Sequence, residues 1–118
     1  MYDILQTTIK QREQQTMTKY ILTIGLNDKD TYTQKYDTIT AYKMIQNTLA
    51  QYTDGYTMYE AHGGYKHDNG TYINETSIRV ELLFISEVQV RVIALALKQL
   101  LNQESIALEI QNTNSELI

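Results

Sequence analysis

Asn69-Gly70 sits between two runs, Tyr56–Tyr65 and Tyr72–Ile85, that alternate with period two. Asn-Gly between extended runs is the strongest short-range hairpin signal, because both residues tolerate the left-handed backbone of a tight turn. The turn His67-Asp68-Asn69-Gly70 therefore commits the middle of the chain to two antiparallel strands. In the second run Ile78, Val80, Leu82 and Phe84 point one way, and Glu75, Ser77, Arg79 and Glu81 the other. One face is buried and one is polar. Gly63-Gly64 in the first run predicts a bulge, or a place where a backbone or ligand comes close.

The rest of the chain supplies the cover for that hairpin. Lys19–Leu26 has Tyr20, Leu22, Ile24 and Leu26 on one face and Ile21, Thr23 and Gly25, uncharged, on the other, which predicts a central strand. In Thr38–Tyr52, Ile39, Tyr42, Ile45, Leu49 and Tyr52 recur at steps of three and four, with Asp37 as N-cap and Asp54-Gly55 as the stop. Ser86-Glu87-Val88-Gln89 fits a capping box that opens a helix running to about Asn102. That helix has apolar residues on more than one stripe, and the surplus predicts self-association. Ser105–Ile110 reads as a last strand with Ile106, Leu108 and Ile110 inward.

The order β-α-β-β-α-β predicts an α+β, ferredoxin-like fold: a four-stranded antiparallel sheet, two helices on one face, strand order 4-1-3-2. Residues 1–18 form an arm, helical or disordered. Residues 19–112 form the domain, and 113–118 a mobile tail. A length of 118 residues suits one core.

Composition narrows the function classes. Net charge is −4 and the ten Lys/Arg are scattered, which disfavours duplex nucleic acid as a partner. No apolar run approaches the length of a membrane span, and the first residues lack a secretory h-region, so a cytoplasmic setting is expected. The absence of cysteine agrees with it and removes thiolate metal sites. Ten tyrosines stand beside no tryptophan and no proline, in a chain rich in Thr, Asn, Gln, Ile and Lys. That bias suggests an AT-rich coding genome, such as a low-GC bacterium or its phage.

The candidate chemistry has several readings. His62 and His67, with Glu60 and Asp68, match no recognised metal-ligand spacing, and polar hairpin residues are the plainer reading. No cofactor is called for. Glu60 and His62 share a strand face, as do Glu75, Arg79 and Glu81. Paired strands could bring an acid, a base and a cation together for proton transfer by a small dimeric enzyme that uses His62 with Glu60 or Glu75. Solubility asks for the same alternation of charge. Arg79 and Arg91 could hold an anionic ligand, and Tyr59, Tyr65 and Tyr72 could stack on a base. Equally, Arg79 could pair with a cross-strand Glu, and Arg91 with Glu87 one helical turn away.

Three segments, ILTIGLNDKDT (21–31), DGYTMYEAHGGYKHDNGTYINETSIRVEL (54–82) and LKQLLNQESIALEI (97–110), resemble phage anti-defence proteins of the Thoeris type, which act as sponges for signal nucleotides. An uncharacterised family of small α+β proteins has a similar skeleton: Asp-Gly, a glycine-aromatic hairpin, Glu-x-Ser and a late Asn-Gln-Glu. The sponge resemblance implies a dimer or trimer of dimers in the host cytoplasm. It implies binding of cyclic ADP-ribose-type signals, or cyclic oligonucleotides, without chemistry. In that reading Arg79 and Arg91 contact phosphate, Tyr65 or Tyr72 stacks on adenine, and Asn74 and Glu75 read ribose or the base edge, with His62 nearby. A protein-binding regulatory module is a third class, docking through a sheet edge or the second helix.

Overall fold

In the computed structural model, which describes residues 17–118, the hairpin runs are strands β2 (Thr57–Lys66) and β3 (Tyr72–Leu82), paired antiparallel from Thr57↔Glu81 to Lys66↔Tyr72. Their turn is longer than a two-residue loop. The His67 carbonyl accepts from Gly70 N (2.9 Å), the His67 amide donates to the Thr71 carbonyl (2.8 Å), and Gly70 takes φ +87°. This is a turn closed by a left-handed glycine. Pairing runs unbroken through Gly63↔Glu75 and Gly64↔Asn74, so the expected bulge is absent.

β1 (Met17–Gly25) lies between β3 and β4 (Ala107–Thr113), antiparallel to both, and the sheet order is β2-β3-β1-β4. Read from the other edge this is the expected 4-1-3-2. Helices α1 (Thr38–Tyr52) and α2 (Glu87–Leu100) complete the ferredoxin-like α+β arrangement. β1 starts two residues earlier than expected, since Met17 and Thr18 pair with Thr113 and Asn112. β4 correspondingly runs on to Thr113, into the first residue of the expected tail. Of the expected arm, residues 1–16 lie outside the described residues.

The core lies between the sheet and the helices. Leu22, Ile24, Ile78, Val80 and Leu82 meet Ile45 and Leu49 of α1 and Val90, Ile93 and Leu97 of α2, all fully buried. Truncating Leu22 to alanine would cost about 2–5 kcal/mol. The α1 stripe is rotated from expectation: Ala41, Ile45 and Leu49 are buried, and Ile39 is exposed. Ile110 is likewise exposed, although Ile106 and Leu108 reach the core.

Both helix starts are capped. Asp37 Oδ1 accepts from Thr40 N (2.7 Å), and Ser86 Oγ accepts from Gln89 N (3.1 Å). The second half of the expected capping box is spent elsewhere, because Gln89 Nε2 donates to the Tyr52 carbonyl (3.0 Å). That bond ties the start of α2 to the end of α1. α1 ends on extended Thr53, not on a left-handed Gly55. α2 has a second stripe. Val88, Val92 and Leu95, at steps of four and three, are exposed opposite the buried one.

Candidate functional site

With both helices on one side, the other side of the sheet is open, and on it β3 presents Glu75, Ser77, Arg79 and Glu81. At the Arg79–Glu81 end the charges are matched. Arg79 donates to the Tyr59 hydroxyl (3.2 Å), to Thr23 Oγ1 (2.9 Å) and to Glu109 Oε1 (3.2 Å). Tyr59 in turn donates to Glu81 Oε2 (2.8 Å), and Lys19 Nζ lies 3.0 Å from Glu81 Oε1. Lys19 first, then Tyr59, hold the Glu81 carboxyl below its usual range. Tyr59, with help from Glu109, raises the pKa of the Arg79 guanidinium.

The other end is built differently. Where β1 stops, the amide of Asn27 does not find a backbone carbonyl. It donates to Glu75 Oε2 (3.0 Å). The Glu75 carboxylate lies across Gly25 so closely that a Cβ there would stand 2.6 Å from it. Glycine at position 25 is what lets the carboxylate reach the strand end. On the other side of β3, Gly63 faces open space.

The chain beyond β1 is then clipped to the end of α2. Asp28 N donates to the Thr33 carbonyl and Tyr32 N to the Asp28 carbonyl, both at 2.8 Å. Asn102, at φ +49°, donates its side-chain amide to Asp28 Oδ1 and Asp30 Oδ2, both at 2.9 Å, and its carbonyl accepts from Lys29 N (3.1 Å). Gln103 Nε2 donates to the Asn27 carbonyl (2.9 Å). Asn102 first, then the Asp30 amide, hold the buried Asp28 carboxyl below the ordinary range.

Between this clipped loop, the β2–β3 hairpin and the α2–β4 turn lies a crevice of about 220 Å³. Three acids line it: Asp28, Glu75 and Glu104. Tyr32 and Tyr65 supply aromatic surface, and Lys29 is its one cation among the described residues. A neighbouring space of about 290 Å³ shares Tyr65 and Glu75 and continues over Gly25, Gly63 and Ser77. The arrangement can hold a cation or a polarised group against carboxylates, and a planar ring against tyrosine.

Of the residues singled out in the sequence, Tyr65 and Glu75 meet in this crevice. His62 and Asn74 do not. They belong to the opposite face of the hairpin, where with Thr76 they line a second hollow of about 430 Å³ that shares Asn27 and Glu75 with the crevice. Glu60 shares the His62 face, 3.5 Å away, so neither joins Arg79 and Glu81 on the open face as expected. Tyr72 is exposed at the start of β3, with Lys66 Nζ 5.9 Å from its ring centre. Arg79 is four residues from Glu75, roughly 13 Å along the strand, and is engaged with its partners. Arg91 lies on α2, across the sheet from Arg79, 3.2 Å from Glu87. Among the described residues no group of three His, Cys, Asp or Glu side chains could hold a metal.

Asn27, Asp28, Gln103 and Glu104 were not singled out as site residues. Their signal was available: NDKD and NQES stand in the first and third of the segments that carried the family resemblance, next to strand and helix ends.

No protein-family model matches the chain, and no curated protein does. Solved structures do. A phage SAM lyase in complex with S-methyl-5'-thioadenosine is 21% identical over 80% of each chain, with a TM-score of 0.60. The Bacillus subtilis GlnK–ATP complex is 13% identical over 80% of this chain and 83% of that one, TM-score 0.51. A Bacillus cereus protein related to NIF3 is 14% identical over 85% of this chain but only 26% of its own, TM-score 0.55. At these identities the likeness carries the fold. It also corrects the expectation of binding without chemistry, because the structure most like this one among these three is that of an enzyme.

Proposed function

We propose that the chain is a phage lyase acting in the cytoplasm on a sulfonium nucleoside of the S-adenosylmethionine class, bound in the crevice at Glu75. The observation that carries the reading is the charge of the site. Asp28, Glu75 and Glu104 line one crevice against a single lysine, and among the described residues no arginine does. Such a cavity attracts a cation and repels a pyrophosphate. A sulfonium is a cation joined to an aromatic base, which matches carboxylates and tyrosines in one space. The bond to be broken is carbon–sulfur, and its electron pair goes to sulfur, leaving a neutral thioether. Glu75 serves as the base: it takes the proton from the carbon next to the breaking bond, and that C–H electron pair becomes the carbon–carbon double bond of the released fragment. The phage SAM lyase and its thioether nucleoside support the ligand class.

Incubation with S-adenosylmethionine, read by mass spectrometry, tests this. Release of S-methyl-5'-thioadenosine is expected, and its loss in Glu75→Gln with an unchanged melting temperature. Intact S-adenosylmethionine together with no thermal shift sinks the reading. A cyclic ADP-ribose-type signal, the ligand implied by the resemblance, is the second candidate. Its support is the exposed stripe Val88, Val92 and Leu95, the subunit contact a sponge-type oligomer needs. A thermal shift with that signal and none with S-adenosylmethionine would favour it. Solution mass would then exceed one chain and fall to one chain in Leu95→Glu.

A further inference from the structure

The loop at the crevice mouth holds one residue in a conformation its chemistry disfavours. Tyr32 has φ +58°, in the left-handed region that bulky side chains rarely enter. Such strain persists only where surroundings over-determine it, and it collects at ligand sites. Here the loop is closed by the Asp28–Thr33 and Tyr32–Asp28 backbone bonds and pinned by Asn102, in the turn after α2. The strain does not serve the core, because Tyr32 stays 66% exposed. In this conformation Tyr32 lines the same 220 Å³ crevice as Tyr65. Tyr65 comes from β2, is 48% exposed, and meets the His67 ring edge-on at 5.4 Å and 61°. Two exposed tyrosines from separate elements thus border one small cavity.

We infer that Tyr32 and Tyr65 form a slot for a purine ring, with Tyr32 as the wall that the strained loop supplies. This rests on the reading that the crevice takes a nucleoside, and it is independent of whether a carbon–sulfur bond is broken there. Stacking needs the ring faces and not the hydroxyls. It tolerates different bases, and losing one ring from a stacked base weakens binding about ten-fold or more. The acids then face the sugar and its substituent. Glycine is at ease at φ +58°, so Tyr32→Gly removes the ring while relieving the backbone.

The test uses adenosine, which carries no sulfonium, and ribose, which carries no base. Binding to the full chain is measured by calorimetry. Adenosine is expected to bind and ribose not. Tyr32→Gly should melt no lower than the parent yet bind adenosine at least about ten-fold more weakly, while Tyr32→Phe stays within about two-fold. Three results would overturn the slot: no adenosine binding to the parent, parental affinity in Tyr32→Gly, or equal losses in Tyr32→Phe and Tyr32→Gly. Adenosine binding that depends on the Tyr32 ring, without turnover of S-adenosylmethionine, would support the slot and remove the lyase reading. Turnover by Tyr32→Gly at parental KM would do the reverse.

Discussion

Glu75 and Glu81 stand six residues apart on the same face of β3, in opposite company. Glu81 has Lys19 at 3.0 Å and the Tyr59 hydroxyl at 2.8 Å, and its neighbour Arg79 is engaged by Tyr59, Thr23 and Glu109. Glu75 has one backbone amide and shares its crevice with Asp28 and Glu104. The chain thus matches acid with base at one end of the sheet and gathers acids at the other. The first arrangement is what an open face needs to stay wet and ordered. The second runs against local electrostatic consistency, and such departures concentrate where a protein does its work.

The sharpest way to break the contrast is to exchange the two acids' fates. Glu75→Gln should lower lyase turnover by about a hundred-fold or more, the scale of a lost general base, with the melting temperature close to parental. Glu81→Gln should leave turnover within about two-fold. A large loss from Glu81→Gln would erase the distinction. Gly25→Ala comes next. The new Cβ meets the far end of a flexible side chain, so the carboxylate swings away at little cost. Ligand affinity should fall about ten-fold or more while thermal melting shifts only slightly. A large drop in melting temperature instead would make Gly25 a packing residue.

Arg79→Ala sharpens the other end. It strips partners from Tyr59, Thr23 and Glu109 at a half-exposed site, worth about 1 kcal/mol, or roughly 4 °C in a domain of this size. Turnover should be unchanged. The smallest effect is in pH. The Glu81 carboxyl is held below its ordinary value of 4.5 in the fold, so its contribution is present above that value and lost as pH falls through the folded pKa. Melting temperature should therefore decline below about pH 4.5, and decline less in Glu81→Gln. Asp28 is held below its own ordinary value of 3.8, so Asp28→Asn should blunt the decline at the more acid end of that range.

The fold was legible because its signals are local. An uncharged β1 face marks a central strand, Asp37 and Ser86 mark helix starts, and Asn69-Gly70 marks the turn. The boundaries that slipped depend on partners: Met17 extends β1 only because Thr113 is across from it, and Ile39 is bare because α1 turns Ala41 inward. The site was half legible. Tyr65 and Glu75 stand on paired strands, β2 and β3, whose alternation shows which way they face. Asp28, Gln103 and Glu104 lie in turns without periodicity, and the bonds that hold Asp28 and Gln103 in place span 74 and 76 residues. Arg79 drew a ligand role because its partner Glu109 is two strands away in the sheet and 30 residues on in sequence.

The bond from Asn27 to Glu75 has a dynamic consequence. One carboxylate both ends β1 and lines the crevice, so a ligand that draws it inward competes with the loop for it. Occupancy should then be readable in the exchange rate of a single amide proton, at Asn27, which would quicken when the crevice fills.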